Sequence, residues 1–469
     1  MSEDPVRAGL PVRVGPPARP RLGFFAICLA YCAIILDASV LNVAVPALRT
    51  GLGTSMAGAQ WVLDAYTLPL AALLLAAGAL GDRLGLRRLL LAGIGLFTLA
   101  SAACAAAPGA GALIAARAVQ GVGAAALLPA TLAMIPYLFT TPDSRARAAV
   151  AWVAAGAVAV AAGPLVGGAL IGAFGWRSIF LINLPVGAIS IGLAAVSITE
   201  TPRRAARMDH VGQVTAVAAL GLLTAALILG GAAGWGAPAT LGALAGAVIA
   251  GVVFWHWERR TPYPLVPPSF FADRLRTVAI ACAGLMGFAF YGTLFVTSLY
   301  FQQLRGASPA AAGLALLPLT AGSAIGPLLL YRPLARRFGH PPLLLAGFAC
   351  CLAGTATLGW LGPQTPYPVA ATGLLLTGAA STIAFSALTS LLLASVPAGQ
   401  SGLASGLQNT TRQSGALIAV SVLGSVLSAG LGGGRLTAAF VIIGLAALAG
   451  TTAGLIAVRQ VTRPEPAAA

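Results

Sequence analysis

A chain of 469 residues that is 58% hydrophobic and only 8% charged cannot be a water-soluble domain, where roughly 25% of residues carry charge. The net charge of +16 does not mark a nucleic-acid surface, because the basic residues are scattered through short segments between apolar runs instead of gathered on a water-facing domain. All 27 basic residues are Arg, which excludes the Lys-dependent phosphate loop of nucleotide-driven pumps.

Apolar runs of about 20 residues, each able to cross a ~30 Å hydrocarbon core as a helix, recur along the whole length. Split at Pro, Gly and charge clusters, they predict an all-α polytopic membrane protein with fourteen transmembrane helices. The spans are 22–47, 59–80, 88–107, 111–137, 146–172, 178–198, 210–230, 238–257, 276–302, 309–332, 342–361, 366–395, 403–430 and 435–458. With the N-terminus in the cytoplasm, 21 Arg fall in inner segments and 4 in outer loops, while Arg117 and Arg412 lie within spans. This asymmetry orients the chain in the cell membrane with both termini cytoplasmic. Trp61, Trp176, Trp235, Trp255, Trp257 and Trp360 fall near span ends, where an aromatic belt belongs. The six Cys all lie in apolar runs without ligand spacing and read as buried free thiols.

Residues 1–21 are rich in Pro and Arg and carry no small-residue cleavage site, so the run from Leu22 reads as a retained first helix. That helix holds Asp37 and Asn42 in the string from Ile35 to Pro46. The second holds Asp64 within the stretch from Trp61 to Tyr66. Nine of the eleven acids fall in tails or loops; only Asp37 and Asp64 lie inside spans. A central Asp costs about 2.5 to 3.5 kcal/mol to insert, so each needs a partner or a proton. Between the second and third spans, Gly78, Gly81 and Gly85 alternate with Asp82, Arg83, Arg87 and Arg88. The glycines permit a tight turn, Asp82 can cap or pair there, and the Arg cluster can hold that face closed. The fourth span carries Arg117 followed by Gln120 and Gly121; its plainest alternative is an Arg reaching for the interface. In the fifth, Gly156, Gly163, Pro164, Gly167 and Gly168 bend the helix and strip one face for close packing.

The stretch from Leu89 to Gly93 recurs as Leu343 to Gly347, an offset that also pairs Gly85 with Gly339 and the first span with the ninth. This suggests two six-helix bundles, 22–205 and 263–458, with two unmatched helices inserted at 206–262 and tails at 1–21 and 459–469. Such repeats are typical of secondary transporters, with substrate held between the halves.

The Gly78–Leu90 loop resembles the signature of the major facilitator superfamily, although Leu86 stands where that family often has a basic residue and Arg336 occupies the cognate position of Asp82 in the second half. Arg117 with Gln120 and Gly121 is similar to the family's fourth-helix motif. The Gly163–Gly168 pattern resembles the motif of its antiporters. The Leu36–Pro46 string, Trp61–Tyr66, Gly175–Asn183 and Ser401–Gln413 resemble the fourteen-helix drug:proton antiporters over nearly the whole chain.

The resemblance implies a proton-coupled exporter of small amphipathic molecules, not an enzyme, with no cofactor and with the proton motive force as its energy source. Expected partners are a small-molecule substrate, protons and the bilayer, without nucleic acid or nucleotide, in a monomer. At 1.5 Å per residue, Asp37, Asp64 and Arg117 all fall in the outer half of the membrane and can form one buried cluster. Asp37 is expected to take the proton, Arg117 to tune it, and Asp64 to act as second carrier or substrate contact. The alternative is a permanent packing pair. Asn42, Tyr66, Gln120, Tyr291, Gln302, Asn409, Arg412 and Gln413 are the expected cavity residues, and Gly78, Asp82, Arg83, Gly85, Arg88, Gly163, Pro164 and Gly167 the gating ones. Competing readings are an uptake symporter, a uniporter or a lipid flippase on the same fold. A membrane-embedded enzyme is a more distant one, since His210, His256 and His340 sit at span ends with no ligand cluster.

Overall fold

A computed structural model describes residues 19–203, 208–397, 400–432 and 434–461. Most of both expected tails, with Arg204 and Arg207 of the expected inner loop, lies outside the described residues. Everything regular among the described residues is helical. The principal helices are α1 (Pro20–Leu52), α2 (Met56–Leu84), α3 (Leu86–Ala105), α4 (Ala110–Ala133), α5 (Pro142–Phe174), α6 (Ser178–Ser197), α7 (His210–Ala233) and α8 (Pro238–Glu258). After them come α9 (Arg274–Leu304), α10 (Pro309–Ile325), α11 (His340–Leu358), α12 (Tyr367–Ala394), α13 (Ser401–Val426) and α14 (Arg435–Val461).

Local chemistry sets where they start. Ser55, Thr141, Asp209, Asp273 and Ser308 each accept a backbone N–H of the first turn, which satisfies donors a helix leaves unpaired. A single residue, Gly85, links α2 to α3 with φ of 94°, and Gly339 opens α11 with φ of 78°. Both angles favour glycine, so the residues paired by the sequence offset turn the chain in the same way.

Twelve helices among the described residues are long and apolar enough to cross a membrane. The two other expected spans miss that description for separate reasons. The run 309–332 is not one rod: α10 ends after 17 residues and passes through a π turn at Gly326–Leu330 into Tyr331–Phe338. Helix α13 is continuous but carries seven consecutive polar residues, from Gln408 to Ser414.

Helices α1 to α6 pack among themselves, as do α9 to α14. The two groups meet where α2 lies along α13, α5 along α10, and α1 against α9. Glycines set the α5–α10 approach: a Cβ on Gly168 would strike the Pro309 carbonyl, and one on Gly313 the Pro164 carbonyl. Gly163 and Gly167 seat α5 on Ser39 and Val40 of α1. The α7–α8 pair lies outside this contact, bridging both groups. Gln213 donates to the Ala72 carbonyl of α2 at 2.6 Å, and Ser425 of α13 donates to the Leu227 carbonyl at 2.5 Å. The outward side of α8 exposes Leu241, Val248, Ile249, Val252 and Val253, a surface suited to lipid. Trp235, Trp255, Trp257 and Trp360 are exposed near helix ends, but Trp176 is buried against Gly51 and Phe180 and belongs to the core. Glu258, expected in a loop, closes α8 and is buried, accepting the Val266 N–H at 2.8 Å.

Candidate functional site

Asp37 and Arg117 meet at the centre of the first group as a fully buried ion pair, Nη1 to Oδ2 at 2.5 Å. The other carboxylate oxygen accepts from Gln120 Nε2 at 3.0 Å and from Asn183 Nδ2 at 2.8 Å. Ser101 Oγ lies between those two amides and accepts from Gln120 at 2.8 Å. Arg117 also donates to Gln120 Oε1 at 2.6 Å and to the Val62 carbonyl at 3.3 Å, and its guanidinium lies 4.1 Å from the Tyr66 ring centroid. Four helices, α1, α3, α4 and α6, thus converge on one carboxylate. A charge so far from water is tolerable only when paired and hydrogen-bonded on all sides.

Sequence reasoning placed Asp37 and Arg117 near one another; Gln120, expected in the substrate cavity, joins them instead. It missed Ser101 altogether and gave Asn183 no role, although Asn183 ends a motif it had singled out. Asp64 does not join them. It is fully buried on the face of α2 that meets α13, where Ser421 Oγ donates to its Oδ2 at 2.7 Å and its Oδ1 has no partner among the described residues. The same face, one turn earlier, carries Gln60, which donates to the Val420 and Ser421 carbonyls at 3.1 and 2.8 Å. The expected three-member cluster is therefore a pair in the first group and a separate acid at the junction of the groups.

A cavity of about 1110 Å³ lies between the groups. It begins at Tyr31, Tyr291 and Arg412 and reaches the exposed residues Asp82, Tyr137, Leu393 and Ser401 at one end of the bundle. Of the expected cavity residues, Tyr291, Asn409 and Arg412 line it. Asn42, Tyr66 and Gln413 do not; with Arg117 and Tyr291 they line a separate void of about 30 Å³. The Oδ1 of Asn42 and the Oε1 of Gln413 are buried there without partners among the described residues. Gln120 belongs to the ion-pair network. Gln302 does not line the cavity and donates to the Val43 carbonyl at 3.0 Å.

That contact belongs to the closed end. Ser298 Oγ donates to the Asn42 carbonyl at 2.8 Å beside it, and the Gly168–Pro309 and Gly313–Pro164 approaches lie alongside. At the open end, Gly78 and Asp82 line the cavity. Asp82 and Arg83 are exposed, and Asp82 forms no ion pair among the described residues. Arg88 pairs with Glu200 at 3.4 Å, and Gly85 packs directly on the Glu200 carboxylate, a contact the sequence did not suggest. Tyr31 stacked on Trp152 at 3.8 Å, with Phe290 and Phe385, adds aromatic walls that sequence reasoning had not assigned.

The family description "Major Facilitator Superfamily" matches residues 27–213 and 206–420. The chain is 36% identical to a methylenomycin A resistance protein of Streptomyces coelicolor over 94% of its own length and 92% of that protein's. It is also 36% identical to the multidrug resistance protein Stp of Mycobacterium tuberculosis, over 87% and 76% of the two chains. A crystal structure of a peptide transporter in complex with sulfate superimposes with a TM-score of 0.65, covering 94% of each chain at 16% identity, which shows the common fold. On these grounds the chain belongs to the major facilitator superfamily of membrane transporters, among relatives named for antibiotic and multidrug resistance.

Proposed function

We propose that the protein is a proton-coupled antiporter that exports small amphipathic molecules across the cell membrane by alternating access. In this reading all fourteen principal helices span the bilayer, with both termini cytoplasmic. Residues 22–205 and 263–458 form the two moving bundles, and 206–262 rides on their seam. The open end is then the cytoplasmic one and the closed end the outer one. Relatives named for antibiotic resistance support export as the direction.

The observation that carries the coupling is the buried Asp37–Arg117 pair, held off the substrate cavity by Tyr66 and the small void. A proton arriving from outside neutralises Asp37 and leaves Arg117 without its counter-ion. Two buried acceptors without partners among the described residues, Asn42 Oδ1 and Gln413 Oε1, line the void beside it. Arg117 turns toward them, which pulls on α1 and α13 together and so links protonation to the bundle interface. Release of the proton restores the pair. A proton crossing 100 mV contributes about 2.3 kcal/mol, enough to bias such a two-state element more than tenfold. Asp64, joined to Ser421 across the same interface, is a second group whose contact breaks when the groups separate.

Accumulation of a fluorescent amphiphile in a hypersensitive bacterial host tests the direction. Cells expressing the chain should hold less probe than controls, and a protonophore should erase the difference. A protonophore that instead lowers accumulation in expressing cells would indicate uptake, and an unaffected level would indicate uncoupled passage.

A further inference from the structure

We propose that the cavity takes an organic acid: a molecule with an aromatic, apolar frame and one carboxylate or sulfonate, whose anionic group docks on the Arg412 guanidinium. This deepens the export reading and rests on it for the cavity's role as substrate site.

The charge inventory carries the inference. Among the described residues, two charged side chains line the cavity, Asp82 and Arg412. Asp82 is exposed at the mouth, whereas Arg412 lies at the deep end. The two acids that could have neutralised a cationic guest are elsewhere: Asp37 is spent on Arg117 and Asp64 faces Ser421, and neither lines the cavity. A cation entering from the open end therefore meets a fixed positive charge and no carboxylate beyond the rim.

Among the described residues, Arg412 itself has no counter-ion. It forms no ion pair among the described residues, and its hydrogen bond there goes from Nη1 to the Tyr291 hydroxyl at 3.2 Å. Its Nε is buried with no hydrogen-bond partner among the described residues. A guanidinium has five N–H donors in a planar fork matched to a carboxylate, and a cation at membrane depth is stable only when paired or facing a water-filled cavity. Backbone packing fixes its position: a Cβ on Gly287 of α9 would strike the Arg412 carbonyl, and one on Gly415 the Gly284 carbonyl.

The walls define the rest of the guest. Phe385 and Tyr291 flank the guanidinium at 5.4 and 5.9 Å. Tyr31, stacked on Trp152, closes the opposite side of the cavity from the first group. Ser381, Thr382, Ser386 and Asn409 offer neutral polar contacts along the same space. An aromatic frame fills such a space and directs its acid toward Arg412. Export of an anion against an entering proton also moves charge outward-negative and inward-positive together, so an interior-negative potential drives both.

Three pyrene probes of near-equal shape test this: 4-(1-pyrenyl)butyrate, its neutral carboxamide and the corresponding butylammonium. Binding to the purified full chain in nanodiscs is read by energy transfer from tryptophan to pyrene. The butyrate should bind at least tenfold tighter than the ammonium. Arg412→Gln should bring the two within about twofold, and Arg412→Glu should reverse the order, an outcome that misfolding cannot produce. Equal affinities, tighter ammonium binding, no saturable binding, or an unchanged order in Arg412→Glu would each overturn the proposal. Everted vesicles separate it from the export reading. Gradient-driven uptake that favours the ammonium keeps export and sinks the acid site. Arg412-dependent butyrate binding without gradient-driven transport keeps the acid site and sinks export.

Discussion

Asp37 is held by three side chains from two other helices, and Arg117 by an acid, an amide, a carbonyl and a ring. Removing only one charge strands the other. Arg117→Met should therefore destabilise the protein by about 3–5 kcal/mol, seen as a lower thermal unfolding midpoint in detergent. Adding Asp37→Asn should recover most of that loss without recovering coupled transport. If the single and double variants unfold alike, the pair does not hold the site together. The pairing was legible from depth along the membrane normal, because 1.5 Å per residue locates a side chain in that direction. Azimuth was not legible in the same way. Val62 and Tyr66 share one side of α2 and face Arg117, while Gln60 and Asp64, also one turn apart, face α13. Two residues of helix turn the chain through about 200°, which separated Asp64 from the cluster expected for it.

At the scale of elements, the glycines of α5 make a two-sided joint. Gly163 and Gly167 hold it to α1 within the first group, and Gly168 with Pro164 meets α10 across the interface. The sequence pattern announced close packing but not its partners, since a stripe of small residues says nothing about which helix lies against it. The α10 side is the part that must open. Gly313→Val places branched carbons against the Pro164 carbonyl and should hold the outer end apart. Ser298→Cys in a cysteine-free background reports this, because Ser298 is fully buried at the closed end. A membrane-impermeant maleimide added outside should label it at least tenfold faster in the Gly313→Val variant. An unchanged labelling rate would mean that the α5–α10 contact does not gate that end. The break in α10 and the polar run of α13 were harder to see. Apolar length alone marks neither, yet both helices bound the region where the groups meet.

Across the whole molecule, composition and hydropathy were enough to predict a polytopic helical chain, and the Gly, Pro and charge signals placed helix ends within a few residues except in 309–332, where α10 stops at Ile325. Which end of the cavity is open could not be read from them. It depends on a balance between two packings of the same residues: hydrogen bonds from Ser298 and Gln302 to α1 at one end, and an exposed Asp82 with an Arg88–Glu200 tie inside the first group at the other. A transporter needs both packings to be close in energy, with a proton and a substrate tipping the balance. The central claim is that Asp37 is where the proton acts. Its most direct measurement is uphill transport by the purified chain in proteoliposomes under an imposed pH gradient, wild type beside Asp37→Asn. The account predicts that the variant retains downhill exchange of substrate but loses gradient-driven accumulation. Accumulation at the wild-type rate in Asp37→Asn would contradict it.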